Sequence, residues 1–235
     1  MKNWTRLRTL LLVATQREIN PFLTRMQVNR PGEFLYTTPF VHFGDVDIYI
    51  TGIGIPFVMF HLMNLLSQRE YHLVINAGVA GSYNKSLYPV GSVVNVVREE
   101  FADIGVEEKH MFYTIFETKW LEMNFFPFRN GKLYNEKRYF PMVENLPCVN
   151  SITVNRSSGT TETIERYREK FNPDIENMEG AAVFYVCLHK NIPFLELRSI
   201  SNYVEERDKS HWDIDMAANN LTQFLIDLFN TGKPL

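Results

Sequence analysis

The sequence predicts an α/β domain: a mostly parallel sheet with helices on both faces. Three observations carry that expectation. Short apolar runs alternate with stretches of helical periodicity along most of the chain, the order that builds parallel sheets through crossover helices. The first run, residues 7–14 (LRTLLLVA), is nearly continuous in apolar character, as in a strand buried on both sides. Two further runs end in the glycine-bearing segments Thr51-Gly52-Ile53-Gly54 and Ala77-Gly78-Val79-Ala80-Gly81, where turns after strands are expected. A length of 235 residues suits one such domain over 1–235.

The elements follow in order. After the first strand, residues 17–26 read as a helix, with Pro21 in its first turn. A strand spans 46–50. From Pro56 a helix runs to Gln68, with Phe57, Phe60, Leu62, Met63, Leu65 and Leu66 as its buried side. Strands are expected at 72–77, 92–97 and 151–154. Residues 160–171 form a helix capped by Ser158 or Thr160. A strand at 175–178, a helix at 179–190 and a strand at 194–200 follow. Ala217, Leu221, Phe224, Leu225 and Leu228 share one face of a closing helix. Residues 110–128 break the alternation with Phe112, Tyr113, Phe116, Trp120, Phe125, Phe126 and Phe128. They are read first as local core plus a subunit contact, and second as an aromatic wall around a ligand.

Composition narrows the function classes. Hydrophobic residues make up 45% and charged residues 22%, as in ordinary globular proteins. A net charge of −3 offers no footprint for nucleic acid or an anionic membrane. No apolar stretch approaches the ~20 residues of a membrane span. The apolar run behind Lys2, Arg6 and Arg8 is too short for a secretory core and ends in Gln16, Arg17 and Glu18. Cys148 and Cys187 sit among apolar neighbours and are expected to be buried free thiols in a reducing cytoplasm. His42, His61, His72, His110, His189 and His211 show no metal-ligand spacing with each other or with a cysteine. No metal and no cofactor are therefore expected.

Ligands of such sheets bind beyond the carboxyl ends of the strands. That rule selects Glu18, the segment ending in Gly54, the segment Ala77, Gly78 and Val79, then Met178 with Glu179, and Ser201 with Asn202. Each has an ordinary reading too. The glycines suit tight turns, and neither segment matches a nucleotide-phosphate loop. Glu179 suits a helix N-terminus, Glu18 a solvated first turn, and Asn202 a turn. Their recurrence at successive strand ends favours one shared site.

The segments GIG, NAGVAG, NMEGAA and RSISN, in that order, resemble the nucleoside phosphorylase/nucleosidase superfamily across nearly the whole chain. The likeness is closest to its nucleosidase branch. It implies a three-layer α/β/α domain with a mixed central sheet, a small-molecule purine nucleoside as substrate, and cleavage of the N-glycosidic bond by water. It implies roles as well. Glu18 would activate the water, Met178 would lie beneath the ribose, and Glu179 would hold the ribose hydroxyls. Ser201 and Asn202 would stand where adenine-directed nucleosidases carry Ser and Asp. The chain departs from those relatives in Val13-Ala14-Thr15-Gln16-Arg17 before Glu18, and in Val79, where a small polar residue is usual. The Gly-Asp-Pro-x-Arg phosphate loop of bacterial hexameric phosphorylases is absent, which favours water over phosphate.

Asparagine at 202 bears on the substrate. An aspartic acid can protonate N7 of adenine and accept from its 6-amino group; a carboxylate facing a 6-oxo group would repel it. An amide donates to O6 and accepts from a protonated N7. A 6-oxopurine nucleoside is therefore expected, with N7 protonated from solvent. The resemblance implies an aromatic, carboxylate-bearing arm at the 5′ carbon. Its walls would come from the 112–128 segment and its cation from Arg156, His110 or Arg207, among which the sequence does not choose. A homo-oligomer is implied as well. The alternatives are a methylthioadenosine-type nucleosidase, a purine nucleoside phosphorylase and a non-catalytic nucleoside sensor.

Overall fold

A computed structural model describes residues 8–40, 43–109, 111–136 and 139–232. Leu7, His42 and His110 lie outside the described residues. The chain opens with β1 (Arg8–Val13), α1 (Gln16–Arg25), β2 (Leu35–Phe40), β3 (Gly44–Ile50), α2 (Ile55–Gln68) and β4 (Leu73–Ser82). Then come β5 (Val93–Phe101), β6 (Gly105–Glu108), β7 (Met111–Thr114), β8 (Leu133–Tyr134), α3 (Pro141–Glu144) and β9 (Cys148–Thr153). It closes with α4 (Thr161–Phe171), β10 (Ile175–Asn177), α5 (Gly180–Lys190), β11 (Phe194–Tyr203) and α6 (Ile214–Thr231).

The main sheet runs β10-β9-β5-β11-β4-β1-β3-β2, with β8 paired to β5. β10 also pairs with β4, so one end of the sheet curls back on itself. β1/β3, β1/β4, β4/β11, β5/β9 and β9/β10 are parallel, whereas β2/β3, β5/β11, β5/β8 and β4/β10 are antiparallel. This is the expected mixed, mostly parallel sheet. Alternate residues of β1 face opposite cores. Leu10 and Leu12 join the cluster under α2 and α5, and Leu11 and Val13 the cluster under α1 and α6. Burial on both faces is why that strand shows no polar alternation.

Several elements depart from the sequence reading. β4 continues to Ser82 rather than stopping at Ala77, and β11 continues to Tyr203 rather than Ile200. The small residues of β4 read as a turn because they have low strand propensity. They remain in the sheet through pairing with β11 and β10, and Gly78 and Gly81 are bare because neighbouring side chains approach too closely for anything larger. β5 is likewise longer than expected, and β2 was not anticipated. Pro21 lies inside α1, beyond its first turn. Thr160, not Ser158, caps α4. On α2 the buried stripe is Val58, Leu62 and Leu65. Phe57, Phe60 and Met63 are exposed, Phe60 by 67%. Those three lie on the opposite side of the helix, away from β1 and α5. Cys187 is buried as expected, but Cys148 is exposed because it starts β9 at the end of the sheet.

Candidate active site

The first candidate is placed by a helix start. Thr15 caps α1, and Glu18 completes a reciprocal capping box. Glu18 Oε2 accepts from Thr15 N (2.8 Å) and Thr15 Oγ1 (2.7 Å). Glu18 Oε1 accepts from the backbone N–H of Val79 at 3.0 Å. This glutamate is buried rather than a solvated first-turn charge. Val79 contributes through its main chain, so the residue type there matters less than the backbone path. Beside it, a Cβ on Gly78 would stand 2.5 Å from Arg198 Nη1 and 2.9 Å from Glu18 Oε1. Gly78 is therefore bare because a guanidinium and a carboxylate already fill the space. Ala77 is wholly buried in the core beneath this rim, so its part is packing.

The second carboxylate stands opposite. Glu179 occupies the N-cap position of α5, but its side chain does not cap the helix. Asn177 does so instead: its Oδ1 accepts from Glu179 N (2.9 Å) and Gly180 N (2.7 Å). That frees the Glu179 carboxylate. Its Oε1 accepts from Gly54 N at 3.0 Å and its Oε2 faces Arg198 Nη1 at 3.4 Å. Gly54 has φ +101°, so its N–H reaches Glu179 from a conformation that L side chains rarely adopt. Burial pushes the Glu179 carboxyl up to about 7; Arg198 and the Gly54 N–H oppose this, and Glu18 adds to it.

Glu18 and Glu179 line a cavity of about 330 Å³ together with Ile53, Val79, Met178, Ser201 and Asn202. Asn202 stands with its Oδ1 accepting from Ser201 Oγ (2.8 Å) and its Nδ2 donating to the Tyr203 carbonyl (3.0 Å). A carbonyl only accepts, so that contact fixes which end of the amide is nitrogen. Gly54 and Gly78 enter through backbone and space rather than as lining. No described ring of the 112–128 segment lines this cavity within the chain, which removes the reading of an aromatic wall built by the same subunit. Phe128 is core, whereas Trp120, Phe125 and Phe126 are exposed. Arg156 is exposed, and Arg207 bonds Ser157 Oγ at 2.8 Å and lies over the Trp212 ring at the cavity edge.

A family model described as "Phosphorylase superfamily" matches residues 8–230. The chain belongs to the phosphorylase superfamily. Among curated relatives, a futalosine hydrolase from Acidothermus cellulolyticus is 26% identical over 194 residues, 77% of this chain and 73% of the relative. A 5′-methylthioadenosine/S-adenosylhomocysteine nucleosidase from Buchnera aphidicola is 24% identical over 227 residues, 94% of this chain and 89% of the relative. The solved structure of futalosine hydrolase from Helicobacter pylori superposes with a TM-score of 0.76 at 17% identity, covering 94% of this chain and 97% of that one. That last likeness speaks for the fold.

In this member of the phosphorylase superfamily, the residues that hold the two carboxylates were not singled out from the sequence. Arg198 is 1% exposed. It donates from Nε to Glu196 Oε1 at 2.8 Å and from Nη2 to Asn177 Oδ1 at 3.2 Å. Asn177 Nδ2 in turn donates to Glu99 Oε1 and Ser151 Oγ. A signal was present: Glu196 and Arg198 are two residues apart in the apolar strand FLELRSIS. That spacing puts both charges on one face, where a buried pair must be matched. Among the described residues, no helix is long and apolar enough to cross a membrane.

Proposed function

We propose that this protein is a futalosine hydrolase, a purine nucleosidase that cleaves the N-glycosidic bond of futalosine with water. It releases hypoxanthine and dehypoxanthine futalosine, in the cytoplasm, for menaquinone biosynthesis. One arrangement carries this reading. Two buried carboxylates flank Arg198 and the bare backbone of Gly78, and the Asn202 amide lines the same cavity.

In this mechanism Glu18 accepts a proton from water as the water attacks the anomeric carbon. The bond to N9 breaks, and its electron pair leaves with the purine, which takes a proton at N7 from solvent. Glu179 accepts from the ribose 2′- and 3′-hydroxyls and favours the positive charge growing on the sugar. The Asn202 amide holds the departing base through O6 and N7–H. Met178 lies beneath the ribose, and Ser201 orients the amide through its hydrogen bond to Oδ1.

The functional unit is a homo-oligomer. Ile53 lines the cavity yet is 51% exposed, and Phe57, Phe60 and Trp120 are exposed as well. Apolar surface of this kind beside a site favours a protein contact, and a second copy would supply the missing wall for the 5′ arm.

Chromatographic assay of futalosine, inosine, methylthioadenosine and S-adenosylhomocysteine, each with and without phosphate, tests the proposal. Phosphate-independent release of hypoxanthine from futalosine is expected. Release of adenine alone would replace this reading with that of the Buchnera relative's activity, and strict phosphate dependence would make the protein a phosphorylase. Ligand binding without base release would leave a sensor.

A further inference from the structure

We infer that Glu176 is a second base-reading residue, whose carboxylate accepts from N1–H of a 6-oxopurine while Asn202 holds O6 and N7. The inference rests on the nucleosidase reading above and adds a residue that reading does not use. Its basis is the sheet register. Gly81 of β4 is paired with Glu176 of β10 on one side and with Asn202 of β11 on the other. Residues paired across strands project to the same face. Glu176 and Asn202 therefore stand on one face, two strand spacings apart, ~9.5 Å between backbones. Between them lies a residue with no side chain. A Cβ at Gly81 would come within 2.9 Å of Val204 Cγ2 and 3.1 Å of Asn202 Nδ2. The amide nitrogen thus leans over Gly81 into the slot. Glu176, Gly81 and Asn202 all line the cavity.

The order of groups across this slot is acceptor (Asn202 Oδ1), donor (Asn202 Nδ2), acceptor (Glu176). A hypoxanthine protonated at N7 presents the complement along one edge: N7–H, O6, N1–H. Adenine protonated at N7 presents N7–H, an amino donor and an acceptor at N1, which mismatches two of the three. Ser201 and the Tyr203 carbonyl hold the amide in the orientation that donates to O6, and an acceptor at Glu176 extends that reading to N1.

Glu176 is held as an acceptor. Ser158 N donates to Oε1 at 2.8 Å, while Ser158 Oγ at 2.5 Å and Tyr83 Oη at 3.1 Å reach Oε2. Among the described residues no salt bridge reaches it, and Oε1 has one protein donor, which leaves acceptor capacity for a ligand. Burial raises its carboxyl above the ordinary range, and the Ser158 and Tyr83 donors oppose that shift.

The test compares wild type and Glu176→Met, each titrated calorimetrically with hypoxanthine and 1-methylhypoxanthine. Methylation removes the N1 donor. In wild type it should weaken binding at least about tenfold, as expected for loss of a hydrogen bond to a charged group. In Glu176→Met, which keeps the length but not the acceptor, the methyl penalty should shrink to about threefold or less. An equal penalty in both proteins means a steric effect only and overturns the inference. A crystal of the wild type with hypoxanthine gives a second reading that needs no variant. N1 within about 3.2 Å of a Glu176 oxygen supports the assignment, and a separation beyond about 4 Å overturns it. The functional reading fails separately: a wild type that releases no hypoxanthine from any nucleoside defeats both, whereas hypoxanthine release with an unchanged methyl penalty defeats only the role of Glu176.

Discussion

Replacing Glu179 by Gln should change how stability depends on pH, by an amount the structure sets. Glu179 is 5% exposed, and burial pushes its carboxyl up to about 7 from an ordinary 4.5. The sign follows from proton counting. Below pH 4.5 the group is protonated in both folded and unfolded chains and adds no slope. Between 4.5 and 7 the unfolded chain has released the proton and the folded one has not. The native state then binds more protons, so stability falls as pH rises. Above 7 both states are ionised and the loss levels off. A separation of about 2.5 pH units corresponds to about 3 kcal/mol.

Glu179→Gln has no proton to lose. Its amide oxygen can still accept from the Gly54 N–H, and the lost contact to the permanently charged Arg198 is a constant offset. Urea denaturation of both proteins between pH 4.5 and 8 measures the difference. The stability of wild type minus that of the variant should decline by about 3 kcal/mol across that range. The same ionisation should appear in kinetics, with wild-type kcat/KM rising through pH about 7. Parallel stability curves for the two proteins would refute the assignment of a buried carboxylate poised near neutrality.

Three further outcomes follow. Glu18→Gln keeps a residue type accepted by a capping box, so the fold should persist while kcat drops by about 10²–10⁴ with KM little changed, read by steady-state kinetics. Gly78→Ala places a methyl 2.5 Å from Arg198 Nη1; it should lower both the thermal midpoint and kcat, and an unperturbed kcat would mean that the guanidinium and Glu18 do not need their present positions. Asn202→Asp should weaken hypoxanthine release by about tenfold or more and raise relative cleavage of an adenine nucleoside, measured by competition between the two substrates.

The layered fold was legible because burial on two faces leaves a simple mark: continuous apolar runs at β1 and β4, and helical stripes at α4 and α6. The limits of β4 and β11 were not. Ala77, Gly78, Ala80 and Gly81 look like loop residues by propensity; pairing with β11 and β10 makes them strand, and the approach of Arg198, Glu18, Val204 and Asn202 explains why Gly78 and Gly81 are bare. The exposed side of α2 was misread because Phe57, Phe60 and Met63 are as apolar as Val58, Leu62 and Leu65, and composition cannot distinguish the core side. Glu18, Glu179 and Asn202 were legible as polar residues at strand ends. Glu196 and Arg198 are inside β11, where the strand-end rule does not look, and Asn177, which ends β10, was hidden because the sequence reading carries that strand on to 178.

Those interior residues explain why Glu179 is poised where it is. Arg198 is nearly inaccessible to solvent, and its guanidinium is divided among partners. It meets Glu196 at 2.8 Å but Glu179 only at 3.4 Å, so Glu196 has the stronger claim on its charge. Glu99 and Glu196 crowd the start of α5, where a Cβ on Gly180 would collide with both carboxylates. Burial raises both, and their mutual repulsion favours a proton held on the pair. Were Arg198 aimed at Glu179 alone, that carboxyl would titrate lower and ionise without a ligand. Sharing the guanidinium leaves Glu179 needing further donors to be stably charged, and two ribose hydroxyls are donors of that kind. Under the proposed nucleosidase reaction, binding and ionisation would then be coupled through one buried arginine, and the carboxylate would reach its charged form where an electron-poor sugar can use it.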